Sequence, residues 1–435
     1  MKKKSAYIST FIILAGLLYV GCAKDGGIDR NMHDSVLQAV SVPESPLLTH
    51  TPTRDTGADI AKRANQFSFN LAAARASKND GDNLILSPIS VWLPLASLVS
   101  ATDDAYVGTL LEALCLEGSS VEEVNDSALS ILNFLMNQNS PVESYNPLQI
   151  ANAIFVDNKV TIKPDYMQSF ADFYHGTAFN VDFTSRDAVR AVNRWASDHT
   201  EGLIEEVIDE FSPDTIVAIA NAIYFSDRWQ WEFDTKETME GVFHSPTAEE
   251  SAHFMVREGP GQAYYEDEYI QAVQLKFLTG GGMYIMLPKD GNADALLSSM
   301  TEDYFDAIRS STAVAEGKLL LPRFSIDSDI MSLTDTLTNL GIPLFDATGS
   351  PITGLVEEDI PLWLSGAVQR AAIAVDEKGT TAAAVTVIQA AGSGLPAEPL
   401  VSFEMTCDRS FVFILYANTN YGVSQVLFTG IVNHV

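Results

Sequence analysis

Basic residues are scarce in this chain. Its 435 residues include 26 Lys and Arg against 57 Asp and Glu, a formal charge of −31. Such a field repels phosphate backbones and anionic membranes, which argues against nucleic acid as a partner. None of the basic residues falls between Lys78 and Lys159. A heparin-type polyanion site has nowhere to sit in that part of the chain, and heparin is not an expected ligand. Cysteine is scarcer still, with three in all, and the seven histidines include no pair at metal-ligand spacing. There is no C-x-x-C and no H-E-x-x-H, so neither a metal nor another cofactor is expected. Enzyme signatures are missing as well. Gly392-Ser393-Gly394 is not a G-x-S-x-G elbow. Gly280-Gly281-Gly282 lacks the Lys and Ser/Thr of a phosphate loop and reads as a hairpin turn. The 46% hydrophobic content fits a globular protein with a large core.

The N-terminus reads as a targeting segment. Lys2, Lys3 and Lys4 precede an apolar run from Ile8 to Val20, which is short for a membrane span. Leu18-Tyr19-Val20-Gly21-Cys22 resembles a bacterial lipoprotein signal, with Tyr19 where leucine is usual. The expected division is a signal peptide at 1–21, a lipid-anchored flexible tether at 22–57 with Cys22 lipidated, and one domain at 58–435. Ordinary secretion is the alternative. Acyl chains on Cys22 would hold the protein to the cell envelope, at the outer membrane or cell surface, with no other membrane contact. Cys115 and Cys407 either pair in an oxidising compartment or remain free thiols.

Residues 59–77, 89–100 and 106–116 carry helical spacing. Residues 150–156, 215–225, 271–277 and 283–288 read as strands, as do Phe411–Tyr416 and Val426–Phe428. Helices dominate the first half and strands the second, which suggests α+β with substantial sheets.

One stretch is unusual. From Gly379 to Leu395 there is no charge, no proline and no aromatic residue, and five alanines, two valines, an isoleucine and three threonines fill most of it. That is the composition of a strand inside a sheet. Glu377-Lys378-Gly379 before it and Gly392-Ser393-Gly394 with Pro396 after it punctuate like a loop.

Glu377-Lys378-Gly379-Thr380-Thr381-Ala382-Ala383-Ala384 resembles the hinge of the serpins, the serine protease inhibitor family. Five further segments resemble the family's signatures in the family's order. They are Asn83 with Ser87-Pro88-Ile89-Ser90, Asn193-Arg194-Trp195 with Thr200-Glu201-Gly202-Leu203-Ile204, and Asn221-Ala222-Ile223-Tyr224-Phe225 with Trp229 and Phe233. Leu321-Pro322-Arg323-Phe324 and Leu427-Phe428-x-Gly430 complete the set. The resemblance implies a serpin fold of three β-sheets with eight or nine helices and an exposed reactive centre loop.

It also implies a use for the odd stretch. The loop is bait for a serine protease, which attacks it and forms an acyl-enzyme; the loop then enters the large sheet as an extra strand and drags the enzyme with it. Thr380, Ala382, Ala384 and Thr386 would share one strand face, and all are small. The chain is then a monomeric suicide inhibitor, not an enzyme. Counting sixteen residues from the hinge glutamate puts the reactive bond at Ser393–Gly394, within a range from Ile388 to Leu395. No candidate before the cut is basic or aromatic, which suits elastase-like or subtilisin-like serine proteases, with papain-like cysteine proteases as a further class, and not trypsin-like ones. Ser87, Ser90, Asn221 and Gln369 are expected to form a polar network beneath the sheet. Gln369 stands where the family usually has histidine and cannot become charged; Thr381 stands where glutamate is common. The alternative is a non-inhibitory serpin acting as a binding or carrier protein, against which the small residues Ala382–Ala384 argue.

Overall fold

The computed structural model describes residues 9–18, 38–39, 53–136, 147–212, 214–380 and 401–435. In the first half, strands β1 (Ser9–Leu18), β2 (Gln38–Ala39), β3 (Leu84–Leu86), β4 (Leu148–Asp157), β5 (Gly176–Val181) and β6 (Thr215–Phe225) alternate with helices. These helices are α1 (Arg54–Ala76), α2 (Pro88–Ser97), α3 (Asp104–Ala113), α4 (Val121–Met136), α5 (Pro164–Tyr174) and α6 (Arg186–Asp198). Strands β7 (Met239–His244), β8 (Glu249–Glu266), β9 (Ile270–Lys276) and β10 (Gly282–Pro288) follow, then α7 (Ala293–Ser298) and α8 (Glu302–Ser311). The chain continues through β11 (Ala313–Pro322), β12 (Phe324–Asp327), β13 (Met331–Ser332), α9 (Thr334–Asn339) and β14 (Trp363–Val375). It ends with β15 (Val401–Thr406), β16 (Phe411–Asn418) and β17 (Ser424–Val432).

The large sheet has the order β12-β14-β1-β6-β4-β5-β2, with β13 beside β14. The remaining strands form one hydrogen-bonded network, β15-β11-β8-β9-β10-β16-β17-β3, with β7 on β8. Strand β8 belongs to two sheets. Its start, 249–254, pairs with β7 and its end, 263–266, pairs with β9, while β11 runs along 254–264. The positive φ of Gly259 and Gly261 lies between the β7- and β9-paired stretches, where glycine tolerates the bend. The architecture is therefore α+β with three sheets and, among the described residues, nine α-helices.

Helix α2 is buried along its whole length and packs beneath the large sheet. The main core joins it to α1, α4 and both faces of the second network. A smaller core holds Phe155, Val192, Trp195 and Ile204 between α6 and the opposite face of the large sheet. Gly280 and Gly281, both at positive φ, make the expected turn between β9 and β10.

Two boundaries differ from expectation. Helix α1 begins at Arg54, inside the expected tether, because Thr53 caps it by accepting the Thr56 amide at 3.2 Å. The second difference concerns the expected leader. Ser9–Leu18 forms a strand at the centre of the large sheet, parallel to β14 on one side and β6 on the other. An uninterrupted run of apolar and small residues suits a strand paired on both edges as well as it suits a leader.

Candidate functional site: a hinge above a strand-wide slot

Strand β14 ends at Val375, and the chain turns at once. The Asp376 carboxylate accepts the Lys378 amide at 2.8 Å and the Gly379 amide at 3.3 Å. Burial raises the Asp376 pKa, opposed by those two amides. Gly379 has φ 143°, and a Cβ there would lie 2.3 Å from the Asp227 carbonyl oxygen. Only glycine fits that approach.

The turn is tied down on every side. Glu377 is 4% exposed. Its carboxylate accepts from Arg323 Nε at 2.9 Å, from an Arg323 terminal nitrogen at 2.6 Å and from the Thr238 hydroxyl at 2.5 Å. Burial would raise the Glu377 pKa, but these donors outweigh it and hold the group below the ordinary range. Trp229 donates its indole N–H to the Asp376 carbonyl at 2.9 Å and its amide to the Lys378 carbonyl at 2.8 Å. Its ring stacks on Phe277 at 4.8 Å. Thr380, 0% exposed, donates its amide to the Asp227 carbonyl at 2.8 Å and shares its hydroxyl with the Asp227 main chain at 3.0 Å.

Below the turn lies the strand position between β14 and β6. These two strands run in the same direction with one strand between them, a span of about 9.5 Å. In this structure β1 fills it. A segment that follows β14 through the 376–379 turn would run back along β14, antiparallel to both neighbours. That arrangement gives the perpendicular hydrogen bonds that β1, being parallel, does not.

Of the expected polar network, three members meet. The Ser87 and Ser90 hydroxyls are 2.8 Å apart, and Ser87 Oγ donates to the Leu427 carbonyl at 3.0 Å. Gln369 donates to the Ser87 carbonyl at 2.8 Å and accepts the Ser87 amide at 3.2 Å. Asn221 does not join them. It donates to Asn152 Oδ1 at 2.8 Å, and its own Oδ1 is buried without a partner among the described residues. The register gives the reason: Leu14 of β1 lies opposite Gln369 on one edge and Asn221 on the other. The two side chains stand at one level with a strand between them.

The hinge residues Ala382, Ala383 and Ala384, the expected reactive bond Ser393–Gly394 and Cys22 lie outside the described residues. Cys115 and Cys407 are free thiols, not a bridge. Burial raises the Cys115 pKa to about 11 and that of Cys407 further, so neither is a ready nucleophile. Sequence reasoning passed over Asp227, Thr238 and the pairing of Arg323 with Glu377. An acid at position 227, two residues after an apolar strand and two before Trp229, was the available signal.

The model of the serpin family of serine protease inhibitors matches residues 62–435. The chain belongs to the serpin family. Alpha-1-antitrypsin of Sus scrofa is 26% identical over 425 residues, covering 96% of each chain. Serpin A3-1 of Bos taurus is 30% identical over 389 residues, covering 87% of this chain and 89% of its own. Among solved structures, the thermophilic serpin tengpin in its native state superposes with a TM-score of 0.76 at 21% identity, covering 92% of this serpin and all of tengpin. Human thyroxine-binding globulin complexed with thyroxine gives 0.73 at 23%, covering 87% and 99%. The family is described as one of serine protease inhibitors, and alpha-1-antitrypsin is a relative by sequence, while thyroxine-binding globulin shares the fold. The Asn83 signature owes its place to the C-terminus, since its Oδ1 accepts the Asn433 and His434 amides at 2.6 and 2.8 Å. Asn193 likewise accepts the Val207 and Ile208 amides at 2.9 and 3.1 Å, fastening the segment after α6.

Proposed function

We propose that this serpin traps serine endopeptidases of elastase-like or subtilisin-like specificity by acylation at its reactive loop and insertion of that loop between β6 and β14. The supporting observation is the hinge: Thr380 is already buried at the mouth of a slot one strand wide. About a dozen residues entering the slot would each complete ladder bonds at roughly 1 kcal/mol net, with apolar burial in addition. The motion would pull the tethered protease away from the geometry its oxyanion hole and triad need, so deacylation stalls. The processed chain begins at Cys22, lipidated and held to the envelope by the tether, and loss of residues 1–21 leaves the slot to the loop.

The test is incubation of the processed chain with an elastase, with subtilisin and with trypsin, followed by denaturing electrophoresis. The expected result is a covalent complex with the first two and not with trypsin. Mass spectrometry of the released C-terminal peptide is expected to place the cut after Ser393. Tight binding with no denaturation-stable complex would make the protein a carrier, and a cut before Ile388 would overturn the assignment of the bond.

A further inference from the structure

The hinge is held by a residue with no assigned part in inhibition. Asp227 is fully buried two residues beyond the end of β6. Its amide and carbonyl both engage Thr380, the buried residue at which the segment proposed to enter the slot begins. Its carboxylate points the other way. One oxygen accepts the Arg228 amide at 2.7 Å, and the other accepts the Thr279 amide at 3.2 Å and the Thr279 hydroxyl. Thr279 lies in the turn between β9 and β10, which belongs to the other sheet. The side chain therefore fastens the main chain that holds Thr380 to a turn of the other sheet.

We infer that Asp227 is a positioning residue for loop insertion: its ionised carboxylate fixes the main-chain clamp that keeps Thr380 seated at the mouth of the slot, so that insertion starts without delay once the loop is cut. The inference rests on the inhibitory reading for its consequence, but the clamp itself can be tested without a protease.

The carboxylate can lose its charge under mild acid. Burial lifts the Asp227 pKa to about 6, against the pull of Thr279, the Arg228 amide and the Arg228 charge. The Arg228 guanidinium is itself engaged by Glu232. From the hinge side, Asp376 caps its own turn and Glu377 is paired with Arg323, while Lys378 contributes its carbonyl to Trp229. From the β9–β10 side, Lys276 and Arg309 line the same cavity as Thr279. Asp227 is thus an acid at the clamp whose three donors all favour the ionised form. Protonation removes acceptor capacity from an oxygen that has donors to satisfy.

The test uses Asp227→Asn, which keeps the shape, and Thr279→Val, which removes a partner from the opposite side. In the full chain, amide exchange of the segment 376–380, corrected for its intrinsic pH dependence, should accelerate by about tenfold in either variant. With the processed chain, both variants should need several-fold more inhibitor per trapped protease at neutral pH. A lowered melting temperature with the exchange of 376–380 unchanged would mean a merely structural role and overturn the inference, as would trapping that does not change. Loosened exchange in a protein that traps no protease at all would leave the clamp standing and sink the inhibitory reading instead.

Discussion

Gln369 and Ser87 satisfy one another reciprocally: the Gln369 amide nitrogen donates to the Ser87 carbonyl at 2.8 Å, and its oxygen accepts the Ser87 amide at 3.2 Å. Ser87 is the residue that precedes buried helix α2, so both main-chain groups would otherwise be orphans beneath the sheet. Gln369→Leu leaves two buried polar groups unpaired. It should cost roughly 2–4 kcal/mol in denaturant unfolding, whereas an unchanged midpoint would mean that these groups find other partners.

Thr380→Arg should turn the inhibitor into a substrate. The hydroxyl that binds the Asp227 main chain is lost, and a charge is forced into a site with 0% exposure. Insertion slows and deacylation wins. Titration of an elastase against the variant checks this; an unchanged stoichiometry would count against insertion.

Cleavage of the loop should act differently on the two forms of the chain. In the full chain, β1 already occupies the position between β6 and β14. Nicking between Ile388 and Leu395 should change its melting temperature little. The chain lacking residues 1–21 has the slot to fill, and nicking should raise its melting temperature by tens of degrees. Calorimetry of the four samples decides, and equal shifts in both forms would show that β1 does not compete with the loop.

Glu302 gives a pH-dependent stability. Burial raises its pKa to about 8, opposed by a hydrogen bond with Asn65 and reinforced by Asp306. Its Oε2 has no partner among the described residues. Above about pH 4.5 the unfolded chain releases this proton while the folded chain keeps it, so stability falls as pH rises from there to about 8. Glu302→Gln should therefore stabilise the protein by on the order of 3 kcal/mol at pH 8 and by little near pH 4. Urea unfolding at the two pH values checks the sign.

Much of the site could be read along the chain. The glycine at 379, the acid at 377 and the small residues after them are local facts, and so are the strands at 215–225 and 283–288. Each depends on a side chain's fit to a period of two or to a turn. Other features were invisible for one reason. Arg323 lies far from Glu377 in sequence, Asp227 farther from Thr380, and no local pattern says that they touch.

The sequence by itself determined the strands around 150–156, 215–225, 271–277, 283–288, 411–416 and 426–428, and where the hinge turns. Only the tertiary structure decided what stands beside what. It separated Asn221 from Gln369, because a strand lies between β6 and β14 at the level of both. It put Ser9–Leu18 into that position, which apolar composition alone would equally assign to a leader. Propensity and period are properties of a few neighbouring residues. Sheet order is set by which edges remain unpaired once the whole chain has folded, and an open position between two parallel strands takes whichever suitable segment can reach it.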